Sequence, residues 1–119
     1  MNWSKEARLR KSSEFAAVFD KGRSVADKAL ALYWVTGAAG STRVGFCVGR
    51  RLGKAVARNR IKRLLRESWR SLAAEATTPA DLVFVARSGG VHFSLGEWAA
   101  SMRALLCRAR IITPGEPPA

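Results

Sequence analysis

The densest chemical signal in the chain is cationic. Arg50, Arg51, Lys54, Arg58, Arg60, Lys62, Arg63 and Arg66 fall in one stretch with no acid before Glu67. Placed at about 100° per residue around a helix, Asn59, Lys62, Arg63, Arg66 and Arg70 share one side, with Arg60 further round beside Glu67. Ala57, Ile61, Leu64, Leu65, Ser68 and Leu72 share the opposite side and are expected to pack on a sheet. A solvated helix face ordinarily mixes both signs of charge. A stripe of one sign is suited to phosphates, whose condensed counterions it displaces. Two placements are open to Arg58, at the edge of the packing side between Leu65 and Trp69. Its stem lies along apolar surface with the guanidinium in water, or it reaches over the sheet toward a ligand.

A second set of residues is suited to stacking. Alternation along a strand separates Ala31, Tyr33 and Val35 from Leu30, Leu32 and Trp34, and Gly45, Cys47 and Gly49 from Val44, Phe46 and Val48. One face of each strand is bulky and belongs to the core; the other is small, with one tyrosine. A helix carrying Phe15 and Phe19 along that side borders a shallow groove with Tyr33. Aromatic edges beside cations suit single-stranded RNA, since bases stack on rings while Arg and Lys meet the backbone. The competing reading makes Phe15 and Phe19 plain core contacts of their helix; the nearby basic stripe favours the groove.

Catalytic constellations are scarce. His92 is the only histidine, follows a Gly-Gly loop and has no nucleophile pattern around it. No closely spaced acids suggest a metal centre; a helix end and a turn explain Asp20 and Asp27. Cys47 and Cys107 lack metal-ligand spacing and read as buried or half-buried thiols. We therefore assign no catalytic residue and no metal ligand to the protein.

The positioning elements follow from pattern and punctuation. Residues 1–11 form a basic arm. Ser12 or Ser13 is the expected N-cap of a helix over 12–21 that ends at Gly22. Strands are expected at 23–26, 29–36 and 43–49, with a turn at Gly37-Ala38-Ala39-Gly40-Ser41. The basic helix runs over 54–74, a strand over 81–87, and a last helix opens on the capping box Ser94-Leu95-Gly96-Glu97. Residues 111–119 read as a frayed tail. This is one domain over 1–119, of α+β class: a single sheet of three to four strands with three helices, in the order α-β-β-(β)-α-β-α.

Twenty-one Lys and Arg against nine Asp and Glu give a net charge of +12. A polyanionic partner relieves the resulting self-repulsion. No run approaches the roughly 20 apolar residues of a spanning helix, and the charged start lacks a signal-peptide centre. A cytoplasmic protein is expected, with no membrane contact and no obligate protein partner.

The segment Ala55-Val56-Ala57-Arg58-Asn59-Arg60-Ile61-Lys62-Arg63-Leu64-Leu65-Arg66-Glu67 resembles the protein subunit of bacterial ribonuclease P. The likeness extends to Phe15-x-x-x-Phe19, Ser24-Val25-Ala26, Leu32-Tyr33, Arg43-Val44-Gly45 and Asp81-Leu82-Val83-Phe84-Val85-Ala86-Arg87, covering about residues 8–110. It implies a subunit of an endoribonuclease that removes the 5′ leader from precursor tRNA. The partners implied are the catalytic RNA subunit and precursor tRNA. The RNA subunit holds the catalytic Mg2+, and the protein alone is expected to be inactive. Arg58, Asn59, Arg60, Lys62, Arg63 and Arg66 would belong to the RNA-binding surface, which with Arg50, Arg51 and Arg70 makes up the expected RNA contact. Phe15, Phe19, Tyr33 and Cys47 would line the leader cleft. Cys47 and Gly49 stand where many relatives carry serine, so this chain lacks those hydroxyl contacts. The fold implied is ribosomal-protein-S5-domain-2-like, with a left-handed strand–helix–strand crossover where right-handed ones prevail. The alternative is a ribosomal or other structural-RNA-binding protein without a nuclease role. A stand-alone metal nuclease and a helix-turn-helix regulator fit less well, the latter because the basic helix follows strands rather than a partner helix.

Overall fold

The structure, a computed structural model, describes residues 8–36 and 41–113. Most of the turn expected at Gly37 to Ser41, the start of the basic arm and residues 114–119 of the tail lie outside the described residues. The elements are α1 (Ser12–Lys21), β1 (Arg23–Ala26), β2 (Leu30–Thr36), β3 (Arg43–Cys47), α2 (Ala55–Leu72), β4 (Ala80–Ala86) and α3 (Leu95–Arg108). Single 3-10 turns at Arg50–Leu52, Ala73–Glu75 and Ser88–Gly90 join them.

The four strands form one mixed sheet in the order β1-β2-β4-β3, antiparallel except where β3 pairs with β4 in parallel. β4 is central and apolar on both faces. Its Leu82 and Phe84 point into the main core with Leu30, Leu32, Trp69, Trp98 and Met102. Val83, on the other face, packs with Leu9 and Val18. Strands buried on both sides need continuous apolar runs, which is why Asp81-Leu82-Val83-Phe84-Val85-Ala86 lacks alternation.

α2 lies on the main-core face through Ile61, Leu64, Leu65, Ser68, Trp69 and Leu72. Ala57, expected on that side, is exposed instead, because α2 meets the sheet only from its second turn onward. α1 lies on the opposite face and starts one residue earlier than its serines suggested, with Lys11 at the N-cap. The carboxylate of Glu14 reaches back to accept from the backbone N–H groups of Arg10 (2.9 Å) and Lys11 (3.0 Å). That is the reach-back half of a capping box, made at the N-cap backbone and not at the first-turn N–H groups a serine would have capped. α3 opens as expected, Ser94 Oγ accepting from Glu97 N–H and the Glu97 carboxylate from Ser94 N–H.

The hand of the crossover follows from Val44. The N–H of Leu9 donates to its carbonyl at 3.0 Å, so the Val44 peptide groups face away from β4, while its side chain packs with Ile61 and Leu65 of α2. For an L residue this places β4 to the left of β3 when both strands run upward and α2 is in front. The β3–α2–β4 connection is therefore left-handed, against the right-handed form seen in about 98% of such units.

Candidate nucleic-acid interface

Asn59, Arg60, Arg63, Arg66 and Arg70 are exposed along α2, and Lys62 is half-buried at its border with β3. None of these cations is in an ion pair among the described residues. Arg50 and Arg51 sit on the 3-10 turn that leads into α2, both exposed. Arg58 makes a contact that its position on the helix did not show. Its Nε donates to the carbonyl of Gly53 at 3.1 Å, which turns the guanidinium back over the loop before α2. Gly53 has φ of 132°, a left-handed conformation open to glycine. Arg58 and Gly53 thus fix how the Arg50–Arg51 turn enters the helix.

The stripe does not stand alone. Lys62 and Arg66 also form one wall of a cleft of about 490 Å3, whose other walls are Arg8, Leu9, Arg10, Phe15, Val44, Gly45 and Phe46. The cleft owes its shape to Gly45. A Cβ there would lie 2.4 Å from Phe15 Cζ and 2.5 Å from Cε2, so the ring rests directly on the β3 backbone. Phe15 is half-buried by this contact.

The remaining groove residues lie along α1 beyond the cleft. Phe19 is 42% exposed and meets Tyr33 edge-on, with ring centroids 4.9 Å apart. Cys47 packs with Leu9, Val18 and Val83 on the α1 face. Burial pushes its thiol pKa up, against the pull of the Lys62 ammonium nearby. The structure thus brings Phe15, Lys62 and Arg66 into one cleft and sets the Phe19–Tyr33 pair next along the same helix. Arg50, Arg51 and Arg70 lie outside it, at the two ends of α2.

Arg8 and Arg10 are cleft residues that helix and strand patterns did not single out. Arg8 bridges to Val44 in parallel, Leu9 is buried, and Arg10 follows. Arg8-Leu9-Arg10 is a period-two pattern too short to stand out, yet it was the available signal.

The acids nearest the cleft are committed elsewhere. The Arg43 guanidinium donates to both Asp81 oxygens (2.9 and 2.8 Å) and to Glu14 (2.6 Å). Backbone N–H groups of Lys11 and Arg10, then the Arg43 charge, lower the Glu14 carboxyl to about 2. Glu14 thereby ties the arm, the start of α1 and the β3–β4 pair together. Among the described residues no group of three or more His, Cys, Asp or Glu side chains could hold a metal ion. No helix of the described residues is long and apolar enough to cross a membrane.

Fold and site together define a basic α+β protein whose single-sign helix and aromatic cleft share a wall, an arrangement suited to a polyanionic strand. A model of the Ribonuclease P family matches residues 3–110. The chain is 38% identical over 112 residues to the ribonuclease P protein component of Thermoanaerobacter sp., covering 94% of this chain and 97% of that one. It is 41% identical over 107 residues to the component of an Exiguobacterium species, covering 90% and 93%. Among solved structures, the Staphylococcus aureus RNase P protein matches with a TM-score of 0.82 at 27% identity, covering 90% of this chain and 98% of that one. The Thermotoga maritima RNase P protein matches with a TM-score of 0.78 at 26% identity, covering 85% and 96%. The chain belongs to the bacterial ribonuclease P protein family, the protein component of that ribonucleoprotein holoenzyme.

Proposed function

We propose that this subunit binds the RNA subunit of ribonuclease P along α2 and holds the 5′ leader of precursor tRNA in the α1–β3 cleft. On this reading the RNA subunit and its Mg2+ hydrolyse the phosphodiester, and the protein supplies affinity and register. The observation that carries the reading is the shared wall: Lys62 and Arg66 belong at once to the basic stripe and to the cleft. A strand leaving the RNA subunit meets Phe15 without crossing a neutral gap. Cations there neutralise backbone phosphates, and the exposed ring edges of Phe15 and Phe19 offer surfaces on which unpaired bases stack. Phe15 resting on Gly45 keeps the floor shallow enough for a single strand rather than a duplex. Glu14 and Asp81, held by Arg43, add no free carboxylate to repel the leader.

The test is photo-crosslinking in the assembled holoenzyme. A 4-thiouridine in the leader of precursor tRNA should label peptides containing Phe15, Phe19 or Lys62, and one in the mature tRNA body should not. Leader label confined to peptides of α3 would overturn the cleft assignment.

A further inference from the structure

A second cationic cavity lies at the far side of the sheet. It has a volume of about 460 Å3 and is lined by Lys21, Arg23, Trp34, Val35, Thr36, Thr78, Ala109 and Arg110. Among the described residues, three cations and two hydroxyl-bearing threonines line it and no carboxylate does. Arg23 opens β1, the edge strand opposite β3. Its strand residues lie on β1 and β2, two to three strand spacings or roughly 10–14 Å from the β3 wall of the cleft, and none of its lining residues belongs to α2.

In partnering, these cations resemble those of the α2 stripe. Elsewhere on the folded body, Arg43 is held by Glu14 and Asp81, Arg87 donates to the Asp27 carbonyl, Arg103 pairs with Glu75 and Arg108 donates to the Ala26 carbonyl. Lys21, Arg23 and Arg110 are in no ion pair among the described residues. Arg110 also occupies an unusual backbone position. Its φ is 61°, just past the end of α3, where glycine or asparagine ordinarily sits because a side chain crowds the left-handed conformation. The turn is held by Arg110 N–H on the Cys107 carbonyl (3.1 Å) and the Thr78 hydroxyl on the Arg110 carbonyl (3.3 Å). A charged side chain is thus kept where a glycine would fold more easily, and it lines the cavity.

We propose that this cavity is a second phosphate-binding site, which takes a backbone phosphate of RNA independently of α2 and the cleft. Guanidinium forks and the Thr36 hydroxyl, around a hollow with no carboxylate among its described lining residues, are the chemistry that recognises a phosphodiester. Two guanidinium groups and an ammonium gathered with no counter-charge among the described residues repel one another, and a bound phosphate removes that repulsion. The inference goes beyond the reading of the α2 stripe and does not depend on it.

The test uses the full chain with Arg110→Gly and Arg23→Ala, and Lys28→Ala as a control that removes one charge elsewhere. Arg110→Gly relaxes the backbone at its positive φ, so the fold survives while the side chain is lost. Affinity is measured against salt for the ribonuclease P RNA subunit alone and for precursor tRNA presented to the reconstituted holoenzyme. Arg110→Gly and Arg23→Ala should each lower the slope of log K on log salt by roughly 0.7 per lost phosphate contact, in whichever arm supplies the phosphate. Lys28→Ala should leave both slopes alone. Arg63→Ala, measured alongside, reports on the stripe, so failure of that surface and of this one are separable. Inorganic phosphate and polyglutamate are titrated against labelled protein in parallel. Unchanged slopes in both RNA arms overturn the proposal, whether neither anion binds, phosphate alone binds, or polyglutamate binds and loses affinity in Arg110→Gly. The last outcome would assign the cavity to an acidic protein.

Discussion

Phe19→Ala separates the ligand reading of the groove from the core reading, and the structure makes it the cleaner probe. Truncating a fully buried Phe costs about 3–5 kcal/mol. Phe19 is 42% exposed, so roughly half of that, about 2 kcal/mol, is the expected loss of stability, including its edge contact with Tyr33. A base stacked on the exposed ring contributes on the order of 1–3 kcal/mol. That is an approximately 5- to 150-fold loss of affinity, since 1.4 kcal/mol is tenfold. The assay is holoenzyme binding to precursor tRNA carrying a leader of several nucleotides, against mature tRNA, at a temperature where the variant is fully folded. The ratio of the two affinities should fall by that factor while the mature-tRNA affinity stays constant. Tyr33→Ala should move the ratio in the same direction, because Tyr33 sets the position of the Phe19 ring. An unmoved ratio in a folded Phe19→Ala protein would make the pair ordinary packing and refute the groove.

Four further outcomes follow from the geometry. Arg63→Ala and Arg66→Ala should each flatten the salt dependence of RNA-subunit binding by roughly 0.7–0.9 per lost phosphate contact, with the melting temperature of the free protein unchanged because both residues are exposed. Gly45→Ala should cost about 1–3 kcal/mol by overpacking Phe15 and should weaken leader binding. Gly49→Ser should be tolerated, with an unchanged melting temperature, since a Cβ there meets nothing within 4 Å. The last concerns acid. The folded pKa of Glu14 is lowered, from 4.5 to about 2, so its contribution to stability is complete above the unfolded value and is lost as pH falls through the folded one. Chemical denaturation at steps between roughly pH 5 and pH 2, across the carboxylate range, should show that decline in the wild type. Glu14→Gln, already lacking the charge, should show less of it.

Local rules carried most of the fold. The strands, the capping box of α3 and the opposed faces of α2 depend on neighbours one to four residues apart, and each falls within about two residues of its expected place. Where long-range contacts decide, local pattern was silent. The cap of α1 comes from Glu14, whose second oxygen is held by Arg43 from β3, and no spacing within α1 reveals that. Ala57 is apolar by type but exposed because α2 has not yet met the sheet, whereas Trp69, at the edge of the projection, is buried. Arg58 is bonded to Gly53, a loop contact that a helical projection does not contain.

The site was legible in its residue types and less so in its geometry. Alternation correctly placed Gly45 and Cys47 on one face of β3, but the reason for Gly45 is a ring thirty positions earlier in the chain. Arg8 and Arg10 enter the cleft because the arm adds a bridge to the β3 edge. The left-handed crossover ran against the general preference, and the family likeness, rather than physical pattern, anticipated it.

The central claim is that the protein positions RNA and the RNA does the chemistry. Precursor-tRNA cleavage by repurified protein alone, by the RNA subunit alone and by both together tests it most directly, across a range of Mg2+ concentrations. The account predicts no cleavage by the protein at any Mg2+ concentration, slow cleavage by the RNA at high Mg2+, and efficient cleavage at low Mg2+ only when both are present. Cleavage by the RNA-free protein that survives repurification and disappears when an Asp or Glu is substituted would contradict it.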